Sequence, residues 1–332
     1  MFSWLLVPAL VGHALQIAVE DGGAGAWERT AWSPGWHQHL HPAVLVAFAV
    51  GLAASALAMA HAAWRDVPLH DEPSLYSART WALAAAVLFA AHSLTFPFRV
   101  RNHMSHLGSV LGAIALVVCV RHATGRTLTL RRSDELSLEA IALLTCVTYF
   151  FAGLHKLNAA FVDVRIDAEG ASITGSAAVD VLRVLWRRAA LGERPPELVR
   201  RAAVWTSLGI ELVVPWVAWR VRRLRGAAIT LLCLFHVPHV SVMQASDYPM
   251  ITTLCFPAFF SRDEAVSLAQ DLRPSVWNVG GASAGVALQL ALVSRPSTLA
   301  AFGLFVMGLW GWGLGSLASR AWRARAAPRR AP

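Results

Sequence analysis

The strongest candidate for chemistry in this sequence is Lys156, the only lysine of the chain, which stands at the end of a long apolar run. All the other strongly basic residues are arginines. An ammonium group can lose its proton when it is removed from water, whereas a guanidinium practically cannot. A single lysine at the edge of a hydrophobic helix is therefore a candidate general base. A lysine in this position can also extend to the lipid headgroups.

Other polar side chains stand within or beside apolar runs. They are Asn102, His103, Glu211, His236 and His239. A carboxyl group in the middle of an apolar run, such as Glu211, should not stay charged without a partner. We therefore expect Glu211 to be neutral and hydrogen-bonded, or paired with a histidine or with Lys156. Between the two histidines stands Pro238, whose missing N–H frees a backbone carbonyl and usually kinks a helix.

Helical spacing connects Lys156 with two earlier residues. Tyr149, Gly153 and Lys156 follow one another at steps of four and three residues. On a helix that turns about 100° per residue, they fall on one face. Gly153 allows a neighbouring helix or a flat ligand to approach this face closely.

The composition predicts the kind of protein that holds these residues. The chain has 332 residues, of which 56% are hydrophobic and 15% charged, with a mean hydropathy of +0.50. Soluble proteins carry about 25% charged residues. We predict an all-α fold, a polytopic integral membrane bundle of nine to ten spans. The predicted spans are 1–19, 43–64, 80–98, 104–120, 137–156, 200–219, 226–243, 275–293 and 297–318, with a tenth and shorter one at 248–261.

The arginines predict the orientation of this bundle. With ten spans and the N-terminus inside, 17 arginines lie in the inner segments and four in the short outer segments. Basic residues in short loops favour the cytoplasmic side, so we predict that both termini are cytoplasmic. This clustering also argues against a nucleic-acid partner in spite of the net charge of +9. In this topology the polar residues named above can meet in one cavity that opens to the outer leaflet.

We expect the bundle to form one domain over 1–318, followed by a basic cytoplasmic tail, 319–332, without regular structure. Its long outer connection, 157–198, alternates apolar residues and arginines between Ser176 and Arg188, which predicts an amphipathic helix on the membrane surface. The four cysteines lie in apolar runs without metal-ligand spacing, so we expect neither disulfides nor a metal site from them.

Three stretches resemble one known family. Tyr149–Phe161 is similar to the signature of the vitamin K-dependent gamma-glutamyl carboxylases and their wider relatives, the horizontally transferred transmembrane (HTTM) domain proteins. Asn102-His103 is similar to the family's Asn-His motif, and Phe235-His236 to its later Phe-His helix. Glu211 falls where the family tends to have an acidic residue. Order and spacing agree over roughly residues 80 to 260, about half of the chain.

The resemblance implies an activity. In the carboxylases a lysine of this signature is taken to be the base that deprotonates vitamin K hydroquinone. Oxygenation of the quinol then yields a base strong enough to abstract a glutamate γ-proton, and CO2 adds. By position that lysine corresponds to Lys156. The catalytic candidates are thus Lys156, His236, Asn102 and His103, and the candidates for cofactor contact are Tyr149, Gly153, Glu211 and His239.

The sequence also departs from the family pattern. His155 precedes Lys156 where the carboxylases have a second lysine, Asn158 stands where an acidic residue is usual, and Phe161 replaces a tryptophan. The sequence ends soon after the bundle, without the luminal region that holds the peptide substrate of the carboxylases. We therefore expect a quinol-dependent epoxidase or carboxylase-like lyase that uses O2, and we leave CO2 as co-substrate and a peptide as acceptor open.

The expected cofactor is a reduced quinone, either menaquinol or vitamin K hydroquinone. The Ala- and Arg-rich composition is typical of a GC-rich bacterium, so we expect a multi-pass protein of the cell inner membrane and favour menaquinol. Membrane lipids are the other expected partners.

Two other functions fit the same residues. A quinone- or lipid-binding protein or transporter would use Lys156 and the arginines for headgroups, without catalysis. A membrane metal enzyme would use two H-x-x-H pairs, His103/His106 and His236/His239. Clear carboxylate ligands are lacking, so we expect no metal. Tolerance of Lys156→Arg would favour headgroup binding, because charge alone suffices for it.

Overall fold

The computed structural model describes most of the apolar segments of the chain. The described residues are 42–64, 78–95, 102–124, 129–242, 252, 255–264, 275–292 and 298–326. The predicted first span, 1–19, and part of the predicted span 248–261 lie outside them. Within them the chain is all-helical, as predicted, with ten α-helices and one short 3-10 helix. An isolated antiparallel bridge between Ile166 and Ser172 is the one β-type pairing in this part of the chain.

The α-helices are named in chain order. They are α1 (Pro42–Trp64), α2 (Ala78–Thr95), α3 (Asn102–Ala123), α4 (Leu130–Lys156), α5 (Ala159–Val162), α6 (Ala177–Arg188), α7 (Glu197–Arg220), α8 (Arg225–Ser241), α9 (Val276–Leu292) and α10 (Thr298–Ala326), and the 3-10 helix is Phe256–Phe259. Eight of the ten predicted spans coincide with α-helices. The last helix continues to Ala326, so residues 319–326 are helical rather than an irregular tail, because Ala and Arg are strong helix formers.

Among the described residues, two helices are long and apolar enough to cross a membrane by length and composition. The qualifying segments are Arg131–Lys156 in α4, with a mean hydropathy of 1.7, and Glu197–Arg220, which is α7, with a mean hydropathy of 1.4. Shorter apolar stretches are Val46–Met59, Leu107–Arg121 and Val276–Leu292. These helices are weak support for membrane association. The nine to ten spans and the cytoplasmic termini stay predictions.

The described helices group into two compact units. The first consists of Met1–Leu144 and Met250–Ala265, and the second of Thr145–Pro249 and Val266–Pro332. The predicted bundle, 1–318, therefore contains parts of both. The second half of α4 and the helices α5 to α10 belong to the second unit, which contains Lys156.

In the second unit, α9 and α10 pack backbone against backbone. A Cβ atom added at Gly281 of α9 would overlap the carbonyl group of Gly311 of α10, and one added at Gly285 would overlap the carbonyl group of Met307. Glycines at four-residue spacing allow this close approach between helices.

The connection between α4 and α7 folds back onto α7. It forms a buried apolar cluster of Phe161, Val164, Val179, Val204 and Leu208. Val179 belongs to α6, and Val204 and Leu208 belong to α7, so the apolar face of α6 packs on α7. The predicted amphipathic helix is thus present, with Arg187 and Arg188 exposed at its end. Its contact with a membrane surface stays a prediction.

Candidate functional site

Lys156, the last residue of α4, forms an ion pair with Glu211 of α7. The distance between Lys156 Nζ and Glu211 Oε1 is 2.5 Å. The Glu211 side chain is 1% exposed and the Lys156 side chain 26%. The carboxyl group therefore has the charged partner that a buried acidic residue requires. Of the partners considered from the sequence, the structure shows Lys156.

Gly153, one turn before Lys156, allows α4 and α7 to approach each other. A Cβ atom at this position would lie 2.8 Å from Leu212 Cδ2 and 3.3 Å from Glu211 Cβ. A real Cβ atom does not fit at such a distance without movement of its neighbours. The glycine face that the sequence predicted is therefore occupied by a helix, and this contact brings Lys156 within reach of Glu211.

Asn158 holds the end of α4 in place. Its side-chain Nδ2 donates to the carbonyl oxygen of His155 at 2.7 Å, and its Oδ1 accepts from the amide of Phe161 at 3.0 Å. One carboxamide thus satisfies a carbonyl at the end of α4 and an amide at the start of α5. A carboxylate, which is usual here in the family that the sequence resembles, could not donate the first of these bonds.

Two aromatic rings lie beside the ammonium group. The Nζ atom of Lys156 is 5.6 Å from the ring centroid of Phe161 and 5.9 Å from that of Phe235. Both distances are within the range of a cation–π interaction, about 6 Å. The amine is thus surrounded by one carboxylate and two flat apolar surfaces.

A second polar pair is fully buried in the same unit. The hydroxyl group of Tyr149, on α4, is hydrogen-bonded to Nε2 of His236, on α8. Both side chains are 0% exposed. The ring centroid of His236 lies 5.4 Å from that of His239 and 6.3 Å from that of Trp310.

Nδ1 of His239 lies 3.1 Å from the carbonyl oxygen of Phe235. A carbonyl oxygen only accepts, so this bond places the proton on Nδ1 and leaves Nε2 of His239 as the acceptor. The Phe235 ring is 5.2 Å from the His236 ring and 5.0 Å from the His239 ring, between centroids. Since the same ring lies beside Lys156, the two polar pairs belong to one site.

The remaining catalytic candidates, Asn102 and His103, begin α3 in the first unit. The contacts of their side chains, and of His106, lie outside the described residues. Their predicted meeting with Lys156 stays a prediction, and so does the four-histidine metal site. Among the residues that the structure does describe, no three His, Cys, Asp or Glu side chains come together as metal ligands.

Sequence reasoning missed three features of this site: the two bonds of Asn158, the rings beside the amine, and the bond between Tyr149 and His236. An asparagine just after a helix end is a recognisable cap signal. The ring contacts and the tyrosine–histidine bond have no local signal, because they join residues that are far apart in the chain.

No family model, no curated protein and no solved structure matches this chain.

Proposed function

We propose that this chain is a multi-pass protein of the cell inner membrane that binds a reduced quinone beside Lys156 and removes a proton from its hydroxyl group. The deprotonated quinol would then react with O2, as in an epoxidase or carboxylase-like enzyme. The observation that carries this proposal is the only lysine of the chain, held between a buried carboxylate and two aromatic rings.

The ion pair makes a lysine base chemically reasonable. Two charges removed from water lose much of their solvation, and a proton shift from Nζ to Glu211 Oε1 removes both charges. The resulting amine has a lone pair that can take a phenolic proton. The products are an ammonium group beside a phenolate, with the first proton retained on Glu211.

The surroundings favour a flat apolar ligand over a lipid headgroup. The partly exposed ring of Phe235 lies beside the amine, and the ring of Phe161 links the amine to the buried apolar cluster. Lys156 is turned towards α7 instead of being fully exposed. Leu154 and Leu157, next to Lys156 in the chain, are 40% and 48% exposed. Exposed apolar residues of this size favour contact with lipid, from which a quinol can enter laterally. In this proposal His236 and His239 contribute indirectly, because both rings pack against Phe235 and hold its ring beside the ligand.

The finer parts of the proposal follow the sequence. The bundle has nine to ten spans with both termini in the cytoplasm, and menaquinol is the first quinol to test. CO2 is an open co-substrate.

The test uses the protein in lipid nanodiscs with menaquinol and oxygen, and measures quinone epoxide by mass spectrometry. We expect epoxide from the wild type and none from Lys156→Ala or Lys156→Arg. The matched control is His155→Ala, which changes the exposed neighbouring side chain and should retain activity. Absence of epoxide from the wild type, with quinol still bound, would favour a binding protein or transporter. Epoxide from all variants would remove Lys156 from the reaction.

A further inference from the structure

The carboxyl group of Glu211 uses one of its two oxygens. Oε1 accepts the hydrogen bond from Lys156, while Oε2 is buried and accepts no hydrogen bond from any described residue. Buried polar atoms are nearly always paired in folded proteins, and one that is left unpaired destabilises the fold. An unused carboxylate oxygen beside the proposed quinol site therefore calls for a donor from outside the chain.

Nε2 of Gln289 and Nε of Arg183 are also buried without a hydrogen bond, and neither indicates a ligand. Nε2 of Gln289 lies against Gly303, where α9 packs on α10. Nε of Arg183 belongs to a guanidinium whose Nη1 already donates to the carbonyl oxygen of Glu169. Glu211 differs from both, because it combines an acceptor oxygen without a hydrogen bond with a charged partner and neighbouring aromatic rings.

We propose that Oε2 of Glu211 receives the hydroxyl group of the ligand, so that the site selects the reduced ring over the oxidised one. A carboxylate oxygen only accepts hydrogen bonds. A hydroquinone donates two O–H groups, whereas a quinone presents carbonyl oxygens, which are also acceptors. The reduced ligand thus satisfies Oε2, and the oxidised ligand leaves it buried and faces it with a second acceptor. This inference rests on the proposed quinol site and adds its selectivity.

The selectivity would also help turnover. An enzyme that oxygenates a quinol must exclude the oxidised quinone that shares the membrane with it. The ring shape and apolar surface of the two forms are nearly the same, so these cannot distinguish them. A buried acceptor can, because the hydroquinone has O–H groups to donate and the quinone has none. Sites built to bond a ligand hydroxyl discriminate strongly against analogues that lack it.

The experiment compares two stable naphthalene probes. 4-Methoxy-1-naphthol has one hydroxyl group, and 1,4-dimethoxynaphthalene has none. Binding is measured without oxygen, by equilibrium dialysis against nanodiscs that contain the protein, with empty nanodiscs of the same lipid as the reference for partitioning. A hydrogen bond to a charged group predicts roughly 10-fold or more tighter binding of the naphthol to the wild type.

The matched variants are Glu211→Gln and Glu197→Gln. Both change a carboxylate of α7 to a carboxamide, but Glu197 is exposed and paired with Arg201 at the start of the helix. We expect Glu211→Gln to bring the affinity ratio of the two probes close to one, and Glu197→Gln to retain the wild-type ratio.

Equal affinities for the two probes in the wild type, or an unchanged ratio in a folded Glu211→Gln, would overturn the inference. The wild-type ratio alone decides if the variant does not fold, and a lack of binding by both probes also overturns it. The result is separable from the oxygenation test. Epoxide formation with equal probe affinities would refute the selectivity only, and hydroxyl selectivity without epoxide would refute the oxygenation only.

Discussion

Alanine at position 153 should separate α4 from α7 and weaken the Lys156–Glu211 pair. The added Cβ would lie 2.8 Å from Leu212 Cδ2, and ordinary contact begins at 3.4 Å, so the neighbours must move by about 0.6 Å. Overpacking of this kind costs about 1–3 kcal/mol. Replacing a helix-interior glycine by alanine returns about 1 kcal/mol through helix propensity. The net change in the free energy of unfolding is a loss of about 0–2 kcal/mol.

Gly209 provides the control that isolates the steric cost. It lies inside α7, and a Cβ atom added there meets nothing within 4 Å. Gly209→Ala should therefore stabilise the protein by about 1 kcal/mol, through propensity alone. The difference between the two variants, about 1–3 kcal/mol, is the steric cost at position 153.

The assay is equilibrium denaturation in detergent, followed by circular dichroism, together with naphthol binding in nanodiscs. Gly153→Ala should lose stability relative to Gly209→Ala and bind the naphthol more weakly, because the carboxylate that receives the hydroxyl group has moved. If Gly153→Ala is as stable as Gly209→Ala and binds the naphthol like the wild type, the close approach of α4 and α7 does not set this site.

Three further changes test the fold and the pair. Asn158→Asp removes the donor to the carbonyl oxygen of His155 and adds a negative charge at the end of α4. The free energy of unfolding, measured by thermal denaturation, should fall by about 1 kcal/mol. An unchanged melting temperature would mean that the two hydrogen bonds of Asn158 do not stabilise the junction of α4 and α5. Gly281→Ala should destabilise the protein by about 1–3 kcal/mol, because its Cβ atom would overlap the carbonyl group of Gly311. Gly280→Ala is the control and should not destabilise it, since a Cβ atom there meets nothing within 4 Å. Equal stability of the two variants in denaturant would refute the close packing of α9 on α10. Lys156→Met should destabilise the protein more than Glu211→Gln in equilibrium denaturation. It leaves a charge on a carboxyl group that is 1% exposed, whereas Glu211→Gln leaves an ammonium group that is 26% exposed. The reverse order would mean that the carboxyl group is protonated in the folded protein.

The helices were predictable because hydrophobicity is a local signal. Long apolar runs predict helices such as α4 and α7 without knowledge of their neighbours. The end of α10 was predicted too early, because its last turns are rich in arginine and no longer look like a span, although Ala and Arg still favour helix.

The site was predictable only in part. A lone lysine, a buried carboxyl and two histidines in apolar runs are unusual enough to be noticed one by one. Their partners depend on which helices are in contact. The spacing of Gly153 predicted a close approach on this face of α4, but it could not predict that α7 is the helix that approaches. The pairing of Tyr149 with His236 joins α4 to α8 across 87 residues of sequence, and no periodicity within either helix predicts it.

Lys156→Arg separates the two roles that the lysine combines. A guanidinium remains charged and can still donate to Glu211, so this variant should unfold close to the wild type, unlike Lys156→Met. It cannot give up its proton to the carboxylate, and so it cannot become the neutral base that the quinol requires. We expect naphthol selectivity to be retained, since it depends on Oε2 of Glu211, while epoxide formation is lost. Loss of both would mean that the amine also shapes the binding site. Retention of both would show that a fixed positive charge is sufficient. The proton would then have to leave the quinol by another route, and His239 Nε2, which is left as an acceptor, is a candidate for it.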